Sequence, residues 1–198
     1  MNPLVEPKPW TVTASQYLLK DKWLTVRKDQ CRTARGVTID PYYVLEYPDW
    51  VQVVAFDADY RVLVTQQYRH AAGSICLELP CGIVEEADET PLAAARRELL
   101  EETGYASDHF ERVGCFSPNP ATHTNALHCF VAHNVYWSRQ ASQDETEDIS
   151  SCFMSIEDIM TAIGTSQFAQ ALHLASLLLS LKHAGLLVLT DKTNIPDF

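Results

Sequence analysis

The sequence predicts an α+β chain in which strands surround one central helix and one or two further helices close the domain. Three observations predict it. Alternating or short uninterrupted apolar runs fill much of residues 9–32, 42–69 and 110–137, as strands do. Helical periodicity is confined to the stretch after Thr90 and to two stretches after residue 155. Finally, 198 residues with 46% apolar and 10% aromatic side chains suffice for one well-buried domain carrying an extension.

Taken in order, WTVTASQYLL and WLTVRKDQC are β-rich runs broken at Lys20-Asp21-Lys22 by a turn signal. YYVLEY (42–47), WVQVVAF (50–56) and RVLVTQQYR (61–69) follow as strands expected to share one sheet, the last two joined through Asp57-Ala58-Asp59. ICLELPCGIVEEADET leads into a helix that starts with Thr90 as N-cap and Pro91 at its first position, and ends at Gly104. On that helix Leu92, Ala95, Leu99 and Thr103 share a packing face beside a face of carboxylates that is expected to lie open. FERVGCF, ALHCFVAHNVYW and SSCFMS are further strands, separated by SPNPATHTN and the acidic SRQASQDETED. IEDIMTAI and QFAQALHLASLLLSLKHAG return to helix, and His173, Lys182 and His183 in the second make it a buried amphipathic helix and not a membrane span. The expected division is a β-rich extension over residues 1–47 and a main domain over 48–198.

A net charge of −11 excludes a general nucleic-acid-binding surface, which needs a basic footprint. The six cysteines form no CxxC pair and no zinc spacing with histidine, and MNPLVEPKPW has no apolar core for a signal peptide, so a cytoplasmic protein with no membrane partner is expected. The cysteines are read as small buried hydrophobes.

The chemistry concentrates in RRELLEETGY, residues 96–105. Glu98, Glu101 and Glu102 stand at i, i+3 and i+4 on one helical face, within reach of a common point. Like charges so placed destabilise a helix by about 0.2–0.5 kcal/mol per pair unless a cation sits among them. Mg²⁺ suits such a cluster, because it takes oxygen ligands and binds through a few carboxylates plus substrate phosphates. Arg97 points off this face and is expected to hold Glu89 or Glu101 in place. A water attacking a phosphorus needs a base, and the acidic loop offers Glu145 and Glu147.

From Gly82 to Tyr105 the chain resembles the Nudix hydrolase family, whose box reads G-x5-E-x7-R-E-U-x-E-E-x-G-U with U a bulky apolar residue. Gly82 opens the match, Glu89 stands eight residues before Arg97, and the remainder fits through Gly104 and Tyr105, with one departure: six residues, not five, separate Gly82 from Glu89. QQYRHAAG, ELPCG and ETEDI, in that order across roughly residues 40–185, resemble the branch that hydrolyses ADP-ribose and other nucleoside diphosphate sugars. The loop SPNPATHTN departs from that branch, where an acidic pair is expected near Thr124-Asn125.

The resemblance implies the Nudix fold, an α/β/α sandwich on a mixed sheet with the box helix central, C-terminal helices and an N-terminal antiparallel β-extension. It implies a pyrophosphohydrolase needing Mg²⁺, with Mn²⁺ as the alternative, acting on ADP-ribose or on a relative such as GDP-mannose or UDP-glucose. A non-catalytic metabolite-binding module is the rival. Gly82 joins Glu98, Glu101 and Glu102 as a metal ligand through its carbonyl, and Glu147, through its spacing to Ile149, ranks ahead of Glu145 as base. Glu102 and Arg97 complete the catalytic set. Arg69, Glu78 and Trp50 are the substrate-binding candidates, although Arg69 could instead pair with Glu78 and Trp50 could belong to the core or an interface. The branch also implies a homodimer through the N-terminal strands, whose Trp10, Tyr17, Trp23, Tyr42 and Tyr43 would otherwise stand exposed.

Overall fold

The computed structural model describes residues 7–143, 146–163, 165 and 167–187. They form two compact units: the residues up to Pro48 together with Ser117–Ala126, and Asp49–Phe116 together with the residues from Leu127 onward.

The first unit is an antiparallel meander of β1 (Thr11–Lys20), β2 (Thr25–Arg32) and β3 (Thr38–Glu46). Its first turn forms because the Asp21 carboxylate accepts from the backbone N–H groups of Trp23 and Leu24 at 2.7 and 2.9 Å. YYVLEY therefore does not share a sheet with WVQVVAF. It lies largely in β3, whose partner is β2, and Pro48 follows, a residue with no N–H to continue a ladder. The proline-rich loop joins this unit as well: Leu45 donates to the Thr122 carbonyl at 2.7 Å and accepts from Thr124 at 3.2 Å. Strand β1 is exposed along its whole length.

The second unit is built on a mixed sheet of order β12-β5-β4-β10-β9, from β4 (Trp50–Phe56), β5 (Val62–Arg69), β9 (His109–Phe116), β10 (Leu127–His133) and β12 (Ser150–Met154). Strands β4 and β10 run parallel, and the other neighbours are antiparallel. At one end β4 and β5 pair directly, Ala55 with Leu63 and Phe56 with Val62. Beyond that they part, and two short strands fill the fork: β6 (Ser74–Glu78) on β5 and β7 (Cys81–Ile83) on β4. Helix α1 (Pro91–Thr103) covers one face; α2 (Ile156–Ala162) and α3 (Ala171–His183) cover the other. A two-strand ribbon of β8 (Tyr105–Ala106) and β11 (Tyr136–Trp137) completes the unit.

Alternation in β4 and β10 divides the core. Val51, Val53, Ala55, Phe130 and Ala132 meet Ala94, Ala95 and Leu99 of α1, while Val54, Phe56 and Val131 meet Leu177 and Leu181 of α3. Each fully buried side chain of this size contributes roughly 1.5–3 kcal/mol by leaving water. No helix among the described residues is long and apolar enough to cross a membrane. The cysteines are all free, but only Cys31, Cys76 and Cys129 are buried; Cys115 and Cys152 are exposed, so uniform burial is not their common role.

Candidate active site

Helix α1 forms as its caps dictate. The Thr90 hydroxyl accepts from the N–H of Ala93 at 3.2 Å, Pro91 opens the first turn, and Gly104 closes the last with φ of 77°. A side chain at Gly104 would also strike the Arg139 carbonyl, 2.2 Å from where its Cβ would stand.

The carboxylate face is not open. Glu98 is 9% and Glu102 4% exposed, because β7 lies across them. The N–H of Cys81 donates to Glu102 Oε2 at 3.2 Å. A Cβ on Gly82 would sit 2.1 Å from the Glu98 carboxyl carbon, so glycine is the residue that admits this approach. Glu101 is half-buried and turns to Arg97, so the three carboxylates do not converge on one point. Among the described residues, the sets whose ligand atoms lie within 4.8 Å of one another are Glu78–Cys81–His173 and His109–Glu111–His133.

Burial pushes the Glu98 carboxyl up to about 7, against the opposing charge of Arg97. Glu102 is held well above the usual carboxylate range by burial first and by the charge of Glu98 second. This donor set fits a divalent cation. It is all oxygen, it places two desolvated carboxylates one helical turn apart, and Glu98 raises the cost of ionising Glu102 until a positive charge arrives.

Arg97 is the strut of the site. Its guanidinium donates to Asp88 at 2.9 and 3.2 Å, to Glu98 at 2.8 Å, to Glu101 at 3.1 Å and to the Ile83 carbonyl at 3.0 Å. The expected partner Glu89 is exposed, and Asp88 replaces it. The extra residue in the loop explains the exchange: counted from Gly82, Asp88 and not Glu89 stands at the box's acidic position. The Gly82 spacing was the signal that could have found it.

Arg69, at the end of β5, grips Glu78 with both arms of its guanidinium, Nε to Oε1 at 2.8 Å. Glu78 is 1% exposed beneath it, a support for Arg69 and not a surface contact. Behind them lies His173 of α3, a polar break in the apolar run of that helix. Its Nδ1 accepts from the N–H of Leu79 at 3.0 Å, which puts its proton on Nε2, 3.7 Å from Glu78. Burial lowers its pKa to about 4, so it stays neutral and ties α3 to the turn between β6 and β7. Trp50 is half-buried at the start of β4, paired with Ile83 of β7 and Leu127 of β10.

The acidic loop is fastened to α1 by Gln143, a residue with no motif to announce it. Its amide donates to the carbonyls of Glu102 and Ile149 at 3.1 and 2.6 Å and accepts from the N–H of Ile149 at 3.1 Å. Glu147 is exposed on this loop, and its charge acts on both Glu98 and Glu102. Glu145 lies outside the described residues. A cleft of about 350 Å³ opens beside Glu102, between Gln143, Ile149 and Trp137.

Comparison with known proteins agrees with this fold. The NUDIX domain model matches residues 47–174, and the model of the nucleoside diphosphate sugar hydrolase N-terminal domain matches residues 10–45. A putative nudix hydrolase 2 of Caenorhabditis elegans is 52% identical over 155 residues, covering 72% of this chain and 68% of its own. An ADP-ribose pyrophosphatase of Bacillus subtilis is 25% identical over 129 residues, covering 65% of this chain and 69% of its own. The chain thus spans about two thirds of the length of these relatives. A crystal structure of an ADP compounds hydrolase superposes with a TM-score of 0.80 at 20% identity, over 93% of this chain and 100% of the other. With its box helix, its fold and its domain match in agreement, the chain belongs to the Nudix hydrolase family.

Proposed function

We propose that this protein is a divalent-metal-dependent pyrophosphohydrolase of nucleoside diphosphate sugars, with ADP-ribose the leading substrate and AMP and ribose 5-phosphate the products. The observation that carries the reading is the buried Glu98–Glu102 pair pressed against the Gly82 strand, in a family that uses a divalent cation. When bound, such a cation, Mg²⁺ in this reading, neutralises diphosphate charge and acidifies water. Glu98 and Glu102 would hold it, with the Gly82 carbonyl as a further ligand and Glu101, bonded to Arg97, as the carboxylate that would have to turn to join them. Arg97 keeps the β7–α1 loop and Glu101 in place. Glu147 takes the proton as water attacks one phosphorus, and the bridging oxygen leaves on the other phosphate. Glu145, two residues earlier in the sequence, is its alternate. Arg69, held by Glu78, and Trp50 position the substrate. Release of phosphomonoester from ADP-ribose, GDP-mannose and UDP-glucose tests the substrate: ADP-ribose should have the highest kcat/KM, and a faster GDP-mannose or UDP-glucose would reassign it.

The metal reading has a pH signature with a defined sign. Glu98 has an ordinary carboxylate pKa of about 4.3 in the unfolded chain and about 7 in the folded one. Without metal, the folded chain therefore binds more protons between these values, and stability falls as pH rises through that window. A cation binds the ionised form and reverses the loss. The rise in Tm on adding Mg²⁺ is expected to be larger at pH 8 than at pH 5.5; an equal or smaller rise at pH 8 contradicts it.

We also propose a homodimer that covers the N-terminal sheet. Trp10, Tyr17, Trp23 and Tyr43 are 49%, 52%, 69% and 50% exposed, and Val12, Leu18 and Leu19 extend the apolar surface along β1. Two-fold pairing is the commonest way to cover such a surface. Light scattering should return twice the 22.3 kDa chain mass at micromolar concentration, and the chain mass alone would refute the dimer. The six free cysteines support a reducing, cytoplasmic setting.

A further inference from the structure

A second cluster of ligating side chains lies on the other face of the main sheet. Strand β9 is the sheet's edge, and its His109 pairs in register with His133 of β10. Glu111 follows two residues along, on the same face as His109. The His109 and His133 rings stack with centroids 4.9 Å apart. Glu111 Oε1 lies 3.2 Å from His109 Nε2 and 3.3 Å from His133 Nε2. His183, the last residue of α3, donates from Nε2 to the other oxygen, Oε2, at 2.8 Å. The neighbours of His133 and Glu111 fix the face: Val131 packs toward α3, whereas Ala132 packs toward α1.

Two features suit this cluster to a shared ion. The His133 Nε2 atom is buried and, although it lies 3.3 Å from Glu111 Oε1, does not meet that oxygen with hydrogen-bond geometry. A histidine N–H so close to a carboxylate ordinarily takes hydrogen-bond geometry with it, the cheaper arrangement for a buried nitrogen. Ligands of a shared ion behave differently, since each aims its lone pair at the ion and not at its neighbour. The separations agree. In a tetrahedral site with metal–ligand bonds of about 2.0–2.1 Å, neighbouring ligand atoms lie about 3.3–3.4 Å apart. His109–Glu111 and His133–Glu111 have that spacing.

The geometry points to a transition-metal site, formed by His109, Glu111 and His133, that takes Zn²⁺ or a similar borderline cation. Two imidazoles and one carboxylate leave a position for water and select against Mg²⁺, which prefers oxygen alone. His183 is not a ligand. It fixes the carboxylate through the outer oxygen, as groups behind metal ligands do. Such a site would staple edge strand β9 to β10 and to the end of α3, on the opposite face of the sheet from the helix that bears Glu98 and Glu102.

The test is zinc titration of the full-length, tag-free, metal-stripped protein by calorimetry, with excess Mg²⁺ present to occupy the helix carboxylates. One equivalent of Zn²⁺ should bind and raise the Tm. His109→Ala, at a ring 63% exposed and so safe for the fold, should abolish both effects, and Glu111→Gln should do the same. His183→Ala should weaken zinc binding by about 10–100-fold without abolishing it. Absence of zinc binding by the wild type would overturn the site. So would stoichiometric binding that survives His109→Ala, which would assign the ion to the cysteines or to Glu78–Cys81–His173.

Discussion

Replacing Glu102 by glutamine is expected to lower turnover by about two to three orders of magnitude, the scale seen when one group that stabilises transition-state charge is removed. The fold should survive. Glutamine has the same shape, and its carbonyl can still accept the Cys81 N–H that bonds to Glu102 Oε2. It also removes a buried carboxylate whose ionisation is opposed by burial and by Glu98, so the metal-free variant should melt no lower than the wild type. Mg²⁺ should no longer raise its Tm, since the ion stabilises only by binding the folded cluster. Wild-type turnover by Glu102→Gln in limiting Mg²⁺ would remove the glutamate pair from the mechanism.

The second large effect is expected from Gly82→Ala, which adds one methyl group. Its Cβ would stand 2.1 Å from the Glu98 carboxyl carbon and Oε1, and 2.5 Å from Oε2. Those atoms end a flexible side chain, so Glu98 can swing aside and the strand can stay. The stability cost is then small, about 1 kcal/mol or roughly 2–4 °C in Tm for a chain of this size. Activity and the Mg²⁺-induced rise in Tm should both be lost, because the displaced carboxylate no longer faces β7. A Gly82→Ala enzyme with unchanged kcat/KM would show that the close approach serves packing alone.

The helix and its ends were legible in the sequence. Thr90, Pro91 and Gly104 are local signals, and capping is set by residues within a few positions of one another. The burial of Glu98 and Glu102 was not legible, since it comes from β7, a three-residue strand too short to show a period. Nor could alternation in YYVLEY name its partner; a half-buried strand reads the same whether it pairs with β2 or with β4. Asp88 was hidden by the one-residue lengthening of its loop, which made Glu89 the better match to the box spacing. His173 and Gln143 act through hydrogen bonds to backbone outside their own elements, and no spacing rule reports such contacts.

Phosphorus NMR of the wild-type protein with ADP-ribose tests the central claim most directly. With Mg²⁺ the diphosphate resonances should give way to those of two phosphomonoesters, AMP and ribose 5-phosphate, and with the metal chelated they should persist. Diphosphate resonances that remain unchanged with Mg²⁺ and stoichiometric protein would contradict the account.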